Sequence, residues 1–143
     1  MLSKNIVVHL KNKGWWFDDA SEDYKKALEK LGVEPSSDIS LFYSHAEDGP
    51  TFYSRKKEIY QLGWFLLNSN YEFDLKRCHE VLGLPKSFIP LDSFEGETGF
   101  FYNKETGEVV DLALGEKLQD FKDGRLKPQW KDFNSFLEWF FEL

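Results

Sequence analysis

The side chains able to do chemistry are few and scattered. Three histidines, His9, His45 and His79, lie far apart, and Cys78 is the one cysteine. Cys78 and His79 are neighbours, so on a helix they point about 100° apart and do not converge on one metal. No His-x-x-x-His or Cys-x-x-Cys spacing occurs, and a closed tetrahedral zinc site needs four ligands. The carboxylate pairs Asp18-Asp19 and Glu95/Glu97 have the composition of an acid-base couple. Their polar surroundings predict solvated surface groups instead. No nucleophile elbow, phosphate loop or dinucleotide fingerprint is present. Gly96-Glu97-Thr98-Gly99 is too short and too acidic to cradle phosphate and reads as a turn. The expectation is a chain with no catalytic residues, no metal and no cofactor, hence not an enzyme. A deep pocket with convergent histidine and carboxylate groups would argue the opposite.

Recognition chemistry is better represented. The chain has 18 basic and 25 acidic side chains over 143 residues, a net charge of −7. Residues 71–143 hold most of the excess, with 15 acidic against 9 basic. Asp92, Glu95, Glu97, Glu105, Glu108 and Asp111 place six carboxylates within twenty residues. Such a surface repels nucleic acid, whose binding depends on phosphate neutralisation, and speeds encounter with basic proteins. Solubility alone also accounts for negative charge. Arg55-Lys56-Lys57, preceded by Phe52 and Tyr53, has the ingredients of a single-strand platform. Three cations against that net charge leave a weak footprint, and the run reads as a solvated turn. Aromatic residues make up 17% of the chain. Most belong in the core, but Trp15-Trp16-Phe17 and Trp139-Phe140-Phe141 are too dense for every ring to be buried on one helix face. Glu95, Glu97, Glu105, Glu108 and Asp111, with Trp15 or Trp16 as an anchor, are the expected partner-binding residues.

The elements that position these residues follow from local signals. One cysteine leaves no disulfide framework and fits a reducing compartment. No apolar run nears the ~18 residues of a membrane span, and no signal peptide is evident. Ser21, the acidic pair Glu22-Asp23 and Gly32 frame a helix over 21–31, with Tyr24, Ala27, Leu28 and Leu31 on one face. A second helix is predicted over 36–44 after Pro35, and a third over 74–82, capped by Asp74, with Leu75, Cys78, Val81 and Leu82 inward. The apolar run 59–67 predicts a buried strand with Gly63 as a bulge. Residues 100–102 and 109–112 flank a turn opened by Asn103 and closed by Gly107, and a strand over 87–91 makes a meander. Alternation predicts one polar face carrying a few exposed rings. Phe133, Phe136, Leu137, Phe140 and Phe141 form the stripe of a terminal helix over 132–142. The N-terminus fits helix, through Leu2, Ile6 and Leu10, or strand, through Ile6-Val7-Val8. Together these predict an α+β fold: a central antiparallel sheet, flanking helices and a C-terminal amphipathic helix.

Leu84-Pro85-Lys86-Ser87-Phe88-Ile89-Pro90-Leu91, the hairpin Gly99–Leu112 around Asn103-Lys104-Glu105-Thr106-Gly107, and Trp130–Phe141 with its Phe136-Leu137-Glu138-Trp139-Phe140 core follow one another in an order that resembles the SUKH superfamily. The likeness covers about residues 21–142. It implies one domain over 1–143, with residues 1–20 as an N-terminal extension, either an added contact element or a repacked first helix. Members of that superfamily include bacterial immunity proteins, which bind a cognate toxin domain, often a nuclease, and block it by occlusion. Others are regulatory scaffolds, as in the fungal cell-wall-regulator branch. The resemblance brings no catalytic residues. The expected function is therefore a cytoplasmic immunity protein whose partner is a cognate basic toxin, with no nucleic-acid or membrane partner. The alternative is a non-catalytic regulatory or scaffold protein binding a cellular partner.

Overall fold

Three serines open the first three helices by the same chemistry. Ser3 accepts from the Ile6 amide, Ser21 from Tyr24 and Ser37 from Ser40. Each supplies an acceptor to an amide that has no partner within its own helix. The helices are α1 (Lys4–Lys13), α2 (Glu22–Leu31) and α3 (Asp38–His45). A computed structural model describes the whole chain, Met1–Leu143, and resolves it into two compact units. One comprises Met1–Ser69 with Asn134–Leu143, the other Asn70–Phe133. The α+β class is as expected, with its antiparallel strands divided between a two-stranded and a three-stranded sheet. No helix is long and apolar enough to cross a membrane.

In the first unit the N-terminal ambiguity resolves as helix: Leu2, Ile6 and Leu10 are all buried. Helix α2 ends at Gly32, whose left-handed φ of 95° lets its amide turn back onto the carbonyls of Leu28 and Glu29. Strands β1 (Thr51–Ser54) and β2 (Lys57–Tyr60) pair antiparallel. Both loop residues between them, Arg55 and Lys56, have positive φ, as a two-residue type I′ turn requires. The predicted strand over 59–67 is corrected. It is strand only to Tyr60, and Leu62–Asn68 is helix α4. Its start signal is Gln61, whose Oε1 accepts from the Trp64 amide. Gly63 is no bulge. It is a flat place on the helix where the Tyr24 ring rests, and a Cβ there would lie 2.5 Å from Tyr24 Cγ. Helix α7 (Phe133–Phe140) delivers the predicted stripe, with Phe136, Leu137, Phe140 and Phe141 buried.

The second unit opens with α5 (Tyr71–Lys76), which widens into a π turn over Arg77–Val81. The helix starts three residues before the predicted Asp74 cap. Asp74 instead pairs with Arg77 at 3.2 Å. The wider turn also changes the inward face: Cys78 and Leu82 are buried as expected, whereas Val81 is 74% exposed. Strands β3 (Phe88–Pro90), β4 (Thr98–Asn103) and β5 (Val109–Ala113) form the predicted meander. The predicted turn chemistry is present. Asn103 Oδ1 accepts from the Glu105 amide, and Gly107, at φ 81°, donates to the Asn103 carbonyl. Helix α6 (Glu116–Lys122) follows β5.

The expected sheet face with exposed rings is not found: Phe100, Phe101 and Tyr102 are all buried. Phe101 packs with Cys78, Leu82, Leu84, Phe88, Val110, Leu112 and Leu118. On the opposite face Phe100 meets Trp130, and Tyr102 meets Phe133, at ring separations of 5.9 and 6.0 Å. The sheet's edges are closed as well. On β3, the Phe88 carbonyl accepts from Cys78 and contacts His79 Nε2 at 2.7 Å, and the Pro90 carbonyl accepts from the Tyr71 hydroxyl. On β5, Val109 exchanges backbone bonds with Trp130, and the Gln129 side-chain amide both accepts from the Asp111 N–H and donates to its carbonyl. A side chain thus stands in for the next strand.

Candidate functional site

The strap between α1 and α2 folds back onto the end of α3 through backbone bonds. Phe17 N donates to the His45 carbonyl at 2.8 Å, Ser21 N to Ser44 at 2.8 Å, and Glu47 N to Trp15 at 2.9 Å. This leaves an open cleft of about 380 Å³ within the first unit, lined among others by Asp19, Asp23, Tyr24, His45, Glu47 and Leu67. Beside it the Trp16 indole lies flat on the His45 imidazole, with centroids 4.7 Å apart and planes 8° from parallel. The edge of His45 is held by a 2.8 Å contact between Nδ1 and the Phe17 carbonyl, and Trp16 Nε1 donates to Asp18.

The cleft's walls are positioned by buried polar chemistry. Tyr24, seated on Gly63, donates its hydroxyl to Glu47 Oε2 at 2.6 Å. Burial chiefly, and then the Glu47 carboxylate it bonds, hold the Tyr24 phenol far above its usual value of 10.0, so it remains a donor. Gln61, fully buried, donates from Nε2 to the carbonyls of Tyr43 (2.9 Å) and Ala46 (2.7 Å) at the end of α3. Its Oε1 caps α4, so one side chain fixes two helix ends. The result is a recess rich in acceptors, with a fixed phenol donor and flat rings at its rim.

The histidines and the cysteine are engaged separately. His9 packs on Phe141 at 4.9 Å, His45 lies under Trp16, and His79 meets the Phe88 carbonyl. No group of three His, Cys, Asp or Glu side chains is arranged to hold a metal ion. Burial pushes the Cys78 thiol up to about 12, against a small opposing pull from Arg77.

Of the residues predicted to contact a partner, Trp15 and Trp16 belong to the first unit and the five carboxylates to the second. Trp15 is turned toward the core, with its ring 5.8 Å from Phe52 and 6.1 Å from Phe141, and Trp16 is not among the residues that line the cleft but stacks on one that is, His45. Glu95 and Glu97 occupy the short 3₁₀ turn before β4, while Glu105 and Glu108 lie in the hairpin loop after it. Six residues of strand, roughly 20 Å at 3.3 Å per residue, separate the two pairs. Asp111 is paired with Lys117 at 3.1 Å. The cleft residues Tyr24, His45, Glu47 and Leu67 were not foreseen as a group. They span more than forty positions, and the strap's backbone bonds, the Gln61 bonds and the packing of Tyr24 on Gly63 bring them together.

Comparison with protein-family models, with curated proteins and with solved structures finds no match to this chain.

Proposed function

We propose that this protein is a non-catalytic binding protein of the immunity type: in the cytoplasm it binds a cognate basic toxin domain, such as a nuclease, and neutralises it by occlusion. The observation that carries this reading is the open acidic cleft of the first unit, lined by Asp19, Asp23, Glu47 and His45, the last stacked on Trp16. A basic partner gains twice there. The net charge of −7 raises its rate of encounter, and the recess gives a buried contact of the kind that dominates interface energy. Glu95, Glu97, Glu105 and Glu108 add charge on the second unit. Neither nucleic acid nor membrane is the ligand in this reading, and no cofactor takes part.

Titration calorimetry with the toxin domain encoded beside this chain tests it. One-to-one binding that weakens as salt is raised is expected. No binding, or binding indifferent to salt, overturns it, and capture of a different basic protein replaces it with the regulatory alternative.

A further inference from the structure

Resting on that reading, we infer that the cleft is a receptor for one arginine side chain of the partner, its guanidinium lying against the lining rings of Phe17 or His45 and donating to Glu47, Asp19 or Asp23. Size sets the first limit. At about 380 Å³ the recess is near the lower end of small-molecule sites, with room for an entire arginine side chain. Charge sets the second: three carboxylates line it, and no lysine or arginine does.

Shape chooses between the two cationic side chains. A guanidinium is planar, stacks on rings and presents five N–H donors in a fixed fork, whereas an ammonium is compact and strongly hydrated. The rim offers flat surfaces, and the acceptors arrive from separate segments: Asp19 from the strap, Asp23 from α2 and Glu47 from beyond α3. Tyr24 occupies Glu47 Oε2, which orients the carboxylate and leaves Oε1 for a ligand. The chain uses the same arrangement within itself. Arg77 pairs with Asp74 while its guanidinium lies 5.6 Å over Phe94. Arg55 lies 4.4 Å over Trp139 while donating to that residue's carbonyl.

The test is a titration of the isotopically labelled full chain with Nα-acetyl-arginine amide, its lysine counterpart and the neutral isostere Nα-acetyl-citrulline amide. Amide shifts at Asp19, Tyr24 and Glu47 are expected with the arginine compound at a Kd on the order of 1 mM. The lysine compound is expected to bind at least threefold more weakly, and citrulline not at all. Glu47→Gln keeps an acceptor for Tyr24, so its amide spectrum is expected to stay native while arginine affinity falls at least fivefold. Equal response to citrulline or lysine, shifts confined to the Glu105–Glu108 loop, or an unaffected Glu47→Gln each overturn the inference. The two readings fail separately. A toxin that binds Glu47→Gln as tightly as the native chain removes the arginine receptor and leaves the immunity reading. An arginine response with no protein partner does the reverse.

Discussion

Gln61 is the residue on which the cleft's geometry can be tested most sharply. Replacing it with leucine keeps its approximate size and removes three hydrogen bonds at once. Loss of the α4 cap costs about 1 kcal/mol. The buried carbonyls of Tyr43 and Ala46 each lose the Gln61 donor, at about 1–3 kcal/mol apiece. Leucine's apolar burial offsets about 1 kcal/mol of this. The net destabilisation is therefore about 2–6 kcal/mol, a large share of a typical total of 5–15 kcal/mol. Gln61→Glu sharpens the test. It keeps the cap but points a carboxylate at two carbonyls, so at pH 7 it should be worse than leucine. Its deficit should shrink as pH falls from 7 toward about 4, because burial raises the carboxyl's folded pKa above its unfolded value and a protonated carboxyl can donate one of the missing bonds.

Urea unfolding followed by tryptophan fluorescence measures both variants, with the midpoint shifting and the slope unchanged. A loss under 1 kcal/mol for Gln61→Leu, or a Gln61→Glu variant no worse than leucine at pH 7, would refute this account of how the end of α3 and the start of α4 are held.

Four further outcomes follow from the same structure. Gln129→Leu uncovers the Asp111 backbone on β5, so its amide should exchange faster and the protein should self-associate in sedimentation at high concentration; unchanged exchange would show that the edge is sealed by something else. Lys56→Gly relieves a left-handed residue at φ 60° and should add about 0.5–1 kcal/mol of stability, read as a higher urea midpoint. Burial first, then Lys13, lower the His9 pKa from 6.5, so the unfolded chain binds that proton more readily; stability should fall as pH drops below 6.5, and His9→Phe should flatten that slope. Cys78, buried and with its thiol pushed up to about 12, should react with a disulfide reagent at pH 8 only at the rate of opening, and urea should accelerate it.

What the sequence made legible is what neighbouring residues decide together. The Ser21-to-Gly32 helix, the Asn103-to-Gly107 turn and the Phe133-to-Phe141 stripe are each local, with their signals inside a dozen residues. The run 59–67 failed for two physical reasons. A short apolar stretch with no charges gives no period to read, and its start signal is a glutamine, outside the usual capping residues. Gly63 compounded the error, since its role concerns Tyr24, nearly forty residues away. Burial on both faces of the meander was hidden in the same way, because Phe100 and Phe101 alternate as a half-exposed strand would while cores lie on either side. The cleft had no one-dimensional trace. Asp19 belonged to a pair read as solvated, Tyr24 was read as an inner helix face, and Glu47 stood alone.

The treatment of backbone edges narrows how recognition can work. An open strand edge invites a partner to extend the sheet. Here the outward groups of β3 are taken by Tyr71, Cys78 and His79, and those of Val109 and Asp111 on β5 by Trp130 and Gln129. A partner therefore cannot extend the sheet at these positions. The carboxylates it meets are not one patch. The Glu95/Glu97 and Glu105/Glu108 pairs are roughly 20 Å apart along β4, more than twice the screening length of about 8 Å at physiological salt. Each pair thus acts alone on any charge near the surface. In the proposed reading the second unit supplies steering, which salt removes, and the recess of the first unit supplies contact, which salt weakens less. The two contributions separate in kinetics. Neutralising Glu105 and Glu108 should slow association of the toxin with little change in its dissociation, whereas Glu47→Gln should speed dissociation. If both variants altered only the association rate, the recess would be one more source of field, and a buried cation would have no part in holding the complex.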